Sequence, residues 1–244
     1  MSRFANQPSV LTSRTAAMAV FAGLVLANVK TSGQQPNVTN PTQPAAKTDA
    51  RFGAFSPVAF LKASRPFSPD GAEEAKKSWL PIEPDTDGQP TVLKCTGSPT
   101  GYLRTRKTYS DFRVSFQWRY PDNVNGNSGV LVHTTGPDKI WPRSIQVQLH
   151  APKAGSVLIH DGANTDNMVS VSGLVKDSRA WNTCVITCRD DTLTVEINGK
   201  KAGTVTGCVP NSGQLALQSE GSEVWFRNIR VESVPTGKSD TKRR

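Results

Sequence analysis

At 244 residues the chain has room for one sandwich-sized domain with appendages. Its 36% hydrophobic and 20% charged content excludes a membrane bundle and a wholly disordered polymer. The formal charge of +9 is not gathered into a basic stripe interleaved with aromatics, and no nucleic-acid motif occurs, so nucleic acid is not an expected partner.

Arg3 and Arg14 precede an apolar run over residues 16–27 that is too short to span a membrane and ends in small residues. This is the pattern of a secretory signal peptide cleaved after Ala27, with a retained N-terminal anchor as the alternative. No Cys follows the run, which argues against a lipoprotein, and no later segment is long and apolar enough to cross a membrane. The expected location is exported, periplasmic or extracellular. Losing residues 1–27 removes Arg3 and Arg14 and no acid, which leaves +7. Residues 28–50 read as a disordered linker rich in Gln, Asn, Thr and Pro. Residues 51–90 carry six prolines and read as an irregular segment packed on the sandwich. One short helix is expected around Asp70–Lys77, capped from Ser68-Pro69-Asp70.

From Thr91 the texture becomes short alternating runs punctuated by Gly, Asn, Asp and Pro. Strands are expected at 91–95, 102–105, 112–120, 129–134, 144–150, 156–160, 181–189, 192–197, 200–206, 213–219 and 223–232. Asp190-Asp191 and Asn198-Gly199 are hairpin signals. Many strands with almost no helix predict an all-β sandwich or jelly roll over 91–234. Residues 235–244 form a basic disordered tail; its charge, with scattered surface charge, accounts for the basic balance without an anionic partner.

Cys95, Cys184, Cys188 and Cys208 are even in number in a chain expected to be exported, which permits disulfides. Cys184 and Cys188 lie in one strand roughly 13 Å apart, too far to bridge each other, so a bridge would have to reach Cys95 or Cys208. Buried free thiols are the other reading.

The strand over 144–150 alternates without a fault. Ile145, Val147 and Leu149 take one face, and Gln146, Gln148 and His150 the other, as a polar floor suited to sugar hydroxyls. Trp141 just before it can stack on a sugar ring, or be buried. Asn127 offers a donor and an acceptor beside Gly129, where the backbone allows close approach. Gln218 and Glu220 form a second polar file, and Glu220 is a candidate ion-pair partner of Arg227. The oxygen-rich stretch Asp161–Asn167 can hold Ca²⁺ but does not match a twelve-residue calcium loop, and Asx turns look the same, so no metal or other cofactor is expected.

These segments together resemble the 3-keto-disaccharide hydrolase family. The resemblance rests on Thr96-Gly-Ser-Pro-Thr-Gly-Tyr-Leu-Arg-Thr, Asp111-Phe-Arg-Val-Ser-Phe-Gln-Trp-Arg, Asn127-Ser-Gly-Val-Leu, Trp141-Pro-Arg-Ser-Ile-Gln-Val-Gln-Leu, Trp181-Asn-Thr, Ile197-Asn-Gly, Leu217-Gln-Ser-Glu-Gly and Phe226-Arg-Asn-Ile. It implies a concanavalin A-like jelly-roll sandwich of two antiparallel sheets, an exported protein, and hydrolysis of 3-keto-glycosides by elimination and hydration. The family's opening motif is not recognisable in residues 51–80. Its Glu-x-Gln in the central strand is here Gln146-Val147-Gln148, and an amide cannot take a proton. With Gln146 neutral, His150 becomes the expected base. Arg143 or Arg119 would stabilise the enolate, and Asn127, Gln148, Trp141, Gln218 and Glu220 would bind the sugar. The alternative is a non-catalytic carbohydrate-binding or scaffolding domain that has lost its carboxylate. Oligomeric state is not legible.

Overall fold

A computed structural model describes residues 53–83, 90–175 and 177–235. The expectations for residues 1–50 and for the tail beyond residue 235 lie outside the described residues. The elements in chain order are β1 (Ala54–Phe55), α1 (Pro57–Lys62), β2 (Ser64–Phe67), α2 (Ala72–Lys77), β3 (Trp79–Ile82), β4 (Val92–Cys95), β5 (Gly101–Tyr109), β6 (Phe112–Arg119), β7 (Gly129–Thr135), β8 (Arg143–Gln148), β9 (Val157–His160), β10 (Asn182–Arg189), β11 (Thr192–Ile197), β12 (Lys200–Val205), β13 (Gly213–Ser219) and β14 (Val224–Ser233).

They form two antiparallel sheets. The larger runs β12-β11-β10-β6-β14-β4-β3, with β1 added against β14; the smaller runs β2-β5-β13-β7-β8-β9. Alternate residues of both sheets meet in one core: Val114, Phe116 and Trp118 from β6 and Phe226 from β14 belong to the same cluster as Ile145 and Val147 from β8 and Leu215 and Leu217 from β13. The architecture is a concanavalin A-like jelly-roll sandwich. Trp118 is completely buried at its centre. Trp118→Ala should cost about 3–5 kcal/mol; a urea titration should show the midpoint falling with an unchanged slope.

The N-terminal segment departs from its expected irregularity, because it supplies an edge strand to each sheet. β2 pairs with β5 and β3 pairs with β4. Pro66 and Pro81 are tolerated there because an edge strand need not donate every N–H to a neighbour. The helix α2 starts from Gly71, at φ +106° and without a side-chain cap. Ser68 instead accepts the Asp70 amide and shapes the turn before it. The β11–β12 hairpin turns at Asn198 (φ +51°) and Gly199 (φ +74°), the paired positive φ values of a type I′ turn.

All four cysteines are buried and unbonded. Burial pushes the Cys95 and Cys208 thiols up to about 11 and raises Cys184 and Cys188 as well. They pack as small apolar groups and are poor nucleophiles.

A second, smaller apolar cluster lies on the face of the smaller sheet turned away from the core: Tyr102, Leu131 and Ala216, with Phe67 against them. A solvated outer face would not bury these groups. This face is therefore built on as well.

Candidate functional site

The outer face of the smaller sheet is ordered in two cross-strand rows. In the first, Arg104 of β5 pairs with Ala216 of β13, Ala216 with Leu131 of β7, Leu131 with Gln146 of β8, and Gln146 with Leu158 of β9. In the second, Tyr102 pairs with Gln218, and Gly129 with Gln148. Arg104, Gln146 and Gln218 are only 2–3% exposed although they lie on the side away from the core. Burying three such groups is costly unless each has a partner or a purpose.

Gly129 is the low point of the floor. A Cβ built there would stand 1.9 Å from Gln218 Oε1 and 2.8 Å from Gln146 Nε2, so both amides lean over the glycine. Gln218 Oε1 has no hydrogen-bond partner. Neither have Asn127 Oδ1 and Glu220 Oε2, on the loops at the same end of β7 and β13. Asn127 donates to the Glu220 carboxylate, which must use Nδ2, its only side-chain donor. Burial raises the Glu220 pKa above the usual carboxylate range, and the Asn127 bond offsets part of that rise. Three buried oxygens at this end of the floor thus lack donors, an arrangement that a group of hydroxyls would complement.

These loops are tied together. Ser128 donates its hydroxyl to the Gln218 carbonyl at 2.9 Å, and the Asn127 amide donates to Ser222 at 3.0 Å. Leu149 and Ala151 amides donate to the Ser128 and Gly126 carbonyls. That continues the β7–β8 register past the strand ends and sets His150 opposite Asn127. The strand itself stops at Gln148, whose Oε1 accepts from the Leu149 and His150 amides at 3.0 Å each. His150 is half-buried at the head of a 3₁₀ turn, Ala151–Lys153. So Gln146, Gln148, His150, Asn127, Gln218 and Glu220 come together at one end of the floor.

A residue not singled out in the sequence joins them. His160 of β9 makes a 2.6 Å hydrogen bond from Nε2 to Gln146 Oε1. An amide oxygen only accepts, so Nε2 carries the proton and the Gln146 NH₂ is turned towards Gly129. Trp141 stacks on the His160 ring at 5.1 Å and 21°, and stays 39% exposed. Burial lowers the His160 pKa, which favours the neutral ring this bond requires. The signal was available: β8–β9 pairing puts His160 opposite Ser144, on the Gln146 face, but an isolated sequence does not give that register.

Three candidates fall elsewhere. Arg143 shares the parity of Ile145 and Val147, so alternation sets it off the floor. Arg119 is on β6 of the other sheet, where its guanidinium lies 4.4 Å from the Trp225 ring centre and 4.9 Å from that of Trp181. Arg227 donates to Gln117 Oε1 and lies over Trp181, while Glu220 takes Asn127. Arg119 and Arg227 are placed by cation–π stacking on the larger sheet, which strand alternation in sequence does not reveal. In the Asp161–Asn167 stretch, Asp161 pairs with Lys139, Asp166 accepts from the Thr206 hydroxyl and Asn167 from the Thr206 amide. Among the described residues no cluster of three or more His, Cys, Asp or Glu is poised for a metal.

The sequence profile of the 3-keto-α-glucoside-1,2-lyase-like domain matches residues 67–232. The chain belongs to this family. No curated protein sequence matches it. Among solved structures it is similar to a candidate glycosyl hydrolase from Parabacteroides distasonis, with a TM-score of 0.52 and 19% identity over 71% of this chain and 90% of that one. At that identity the likeness concerns the fold alone. A second candidate glycosyl hydrolase from the same organism aligns at TM-score 0.49 and 22% identity, over 70% and 99% of the two chains. The carbohydrate-binding module CBM66 of Bacillus subtilis aligns at 0.46 and 13%, over 64% and 96%. The 67–232 match of this lyase-like domain begins in β2 and takes in every residue of the polar floor.

Gly129→Ala probes the floor without touching an ionisable group. The new methyl would meet the amide ends of two side chains rather than backbone, so the fold should hold while both amides are pushed away from Gly129. Ligand titration should show binding weakened by about ten-fold or more, with a thermal midpoint close to that of the parent.

Proposed function

We propose that this domain cleaves 3-keto-glycosides by elimination and hydration, with Glu220 as the proton-transfer group. The observation that carries the reading is the three buried, partnerless acceptor atoms at the end of the floor where β7 begins and β13 ends, one of them on a carboxyl whose pKa is raised. Family membership supports the same chemistry.

A ketone at C3 acidifies the proton on C2. Glu220 takes that proton, and the C–H electron pair forms a C2=C3 double bond with negative charge on O3. Electrons then return from O3, the C1–O bond breaks, and the departing oxygen takes a proton. Water adds to the resulting enone at C1. A base works best with a pKa near the working pH, and a partly buried carboxyl raised by desolvation moves in that direction. The enolate needs a donor, and the Gln146 NH₂ beside Gly129 supplies a neutral one. In this role Gln146 does not replace a lost base; its amide answers a base located elsewhere. His160 keeps that amide in the required orientation. His150, opposite Asn127, protonates the leaving oxygen. Gln218 and Asn127 accept sugar hydroxyls. An ordinary glycosidase would need two carboxyls flanking the bond, and this end of the floor offers Glu220 alone among the described residues.

We further propose that the protein works outside the cytoplasm, a reading that rests on the sequence of residues 1–27. Carbohydrate is the expected partner. No helix among the described residues is long and apolar enough to cross a membrane.

The test is a panel of 3-keto-glucosides and their unoxidised parents, with product release followed by chromatography and binding by calorimetry. Turnover of the keto compounds alone is expected. Binding of plain glycans with no turnover of any keto compound would sink the enzymatic reading in favour of a binding domain. That rival is kept in play by Gln146, an amide at the position where a carboxylate was expected.

A further inference from the structure

The far end of the floor holds a different chemistry. The loop 136–142 between β7 and β8 folds down so that the Asp138 carboxylate meets Arg104 at 2.9 Å, Arg65 at 3.0 Å and the Tyr102 hydroxyl at 2.8 Å. Burial raises the Tyr102 pKa, and Asp138 raises it further, so the phenol stays a donor. Two guanidinium groups therefore converge on one carboxylate. Arg104 has a side chain only 4% exposed, yet its Nε and Nη1 have no acceptor at all. Arg65 holds Asp138 through both Nη1 and Nη2, at 3.0 and 3.5 Å, but Arg104 reaches it through Nη2 alone. Orphaned donors on a buried cation are costly, and a carboxylate matched to Arg104 would take that guanidinium by two parallel bonds.

The loop lies at the surface, tied elsewhere by Lys139 to Asp161 and by Trp141 to His160. Its residues 136, 137, 139 and 141 are exposed, and Gly136, at φ +77° with nothing near its Cβ position, opens it. Asp138 is thus a tethered carboxylate in a place built for one. Arg104 and Gln146 stand in one cross-strand row, three strand spacings apart, or roughly 14 Å. A ligand touching both ends is an oligosaccharide rather than a single ring.

We propose that the Arg104–Arg65–Tyr102 end is a carboxylate-binding subsite, closed by the protein's own Asp138, and that the natural substrate is an acidic oligosaccharide whose uronate group displaces Asp138. The proposal rests on the reading of the floor as a sugar site. It adds the charge and the direction of the chain that lies there.

The experiment is calorimetric titration of the full chain with a glucuronyl disaccharide, the matching glucosyl disaccharide and a 6-sulfated glucosyl disaccharide. The uronyl sugar should bind about ten-fold tighter than the neutral one. Arg104→Gln should erase that preference, and so should Arg65→Gln, whose half-exposed side chain can be exchanged without emptying the core. Asp138→Asn should act in the opposite sense, tightening the uronyl sugar by about ten-fold while leaving the neutral sugar unchanged. A merely structural pin would give a lower melting temperature in Asp138→Asn and no gain in affinity, which overturns the proposal. Equal binding of neutral and uronyl sugars overturns it too, while leaving the sugar site intact. Tighter binding of the sulfated sugar overturns the carboxylate assignment. Failure of every sugar to bind removes the sugar site together with the subsite.

Discussion

Glu220→Gln should lower kcat/KM on a 3-keto-glucoside by roughly 10²–10⁴-fold and at the same time make the protein harder to melt. The two effects have one cause. Burial raises the Glu220 pKa in the folded chain above its value in the unfolded chain. The folded state therefore holds this proton more tightly, and ionising the group works against folding. Sign follows from that: the penalty is absent below the unfolded pKa and is fully present once the pH has passed the folded one. Replacing the carboxyl with an amide of the same shape removes the penalty. Melting curves should show a higher midpoint for the variant at about pH 7–8 and no difference below about pH 4. The Asn127 bond survives, since an amide oxygen also accepts. A group that only bound hydroxyls would instead lose affinity modestly and leave kcat nearly unchanged. An unchanged kcat with raised KM would thus remove Glu220 from the proton-transfer role.

The sandwich was legible because alternation, turn residues and the hairpin dipeptide Asn198-Gly199 are local signals, and the strands lie within a few residues of where they read. The polar end of the site was legible for the same reason: Gln146 and Gln148 announce themselves by period two. What alternation could not supply was register between strands. His160 and Arg104 reach the floor only through pairing partners distant in sequence, and Asp138 reaches it through a loop. Arg119 and Arg143 stand in the segments that carry the family resemblance, yet neither reaches the floor. One belongs to the other sheet, and the other has the wrong parity. The N-terminal segment was obscured by its prolines, which read as breakers but also suit edge strands.

Gln146→Glu bears most directly on how this chain differs from the pattern its family suggests. If the amide marks a lost base, restoring the carboxylate should raise activity. The geometry here leads to the opposite expectation. Gln146 uses its oxygen on His160 and turns its NH₂ over Gly129. A carboxylate would keep the first contact and lose the second. It would also place a negative charge where O3 becomes negative, and it would favour the protonated form of His160 by direct contact. Removing one oxyanion donor typically costs about 10²–10³-fold in kcat, so a loss of that order is expected. His160→Ala should produce part of the same loss, by freeing the amide to rotate, without introducing any charge. Raising the pH should not rescue Gln146→Glu, because the added carboxylate only becomes more completely ionised. A gain of activity in Gln146→Glu would instead return the catalytic base to β8 and leave Glu220 as a ligand of the sugar.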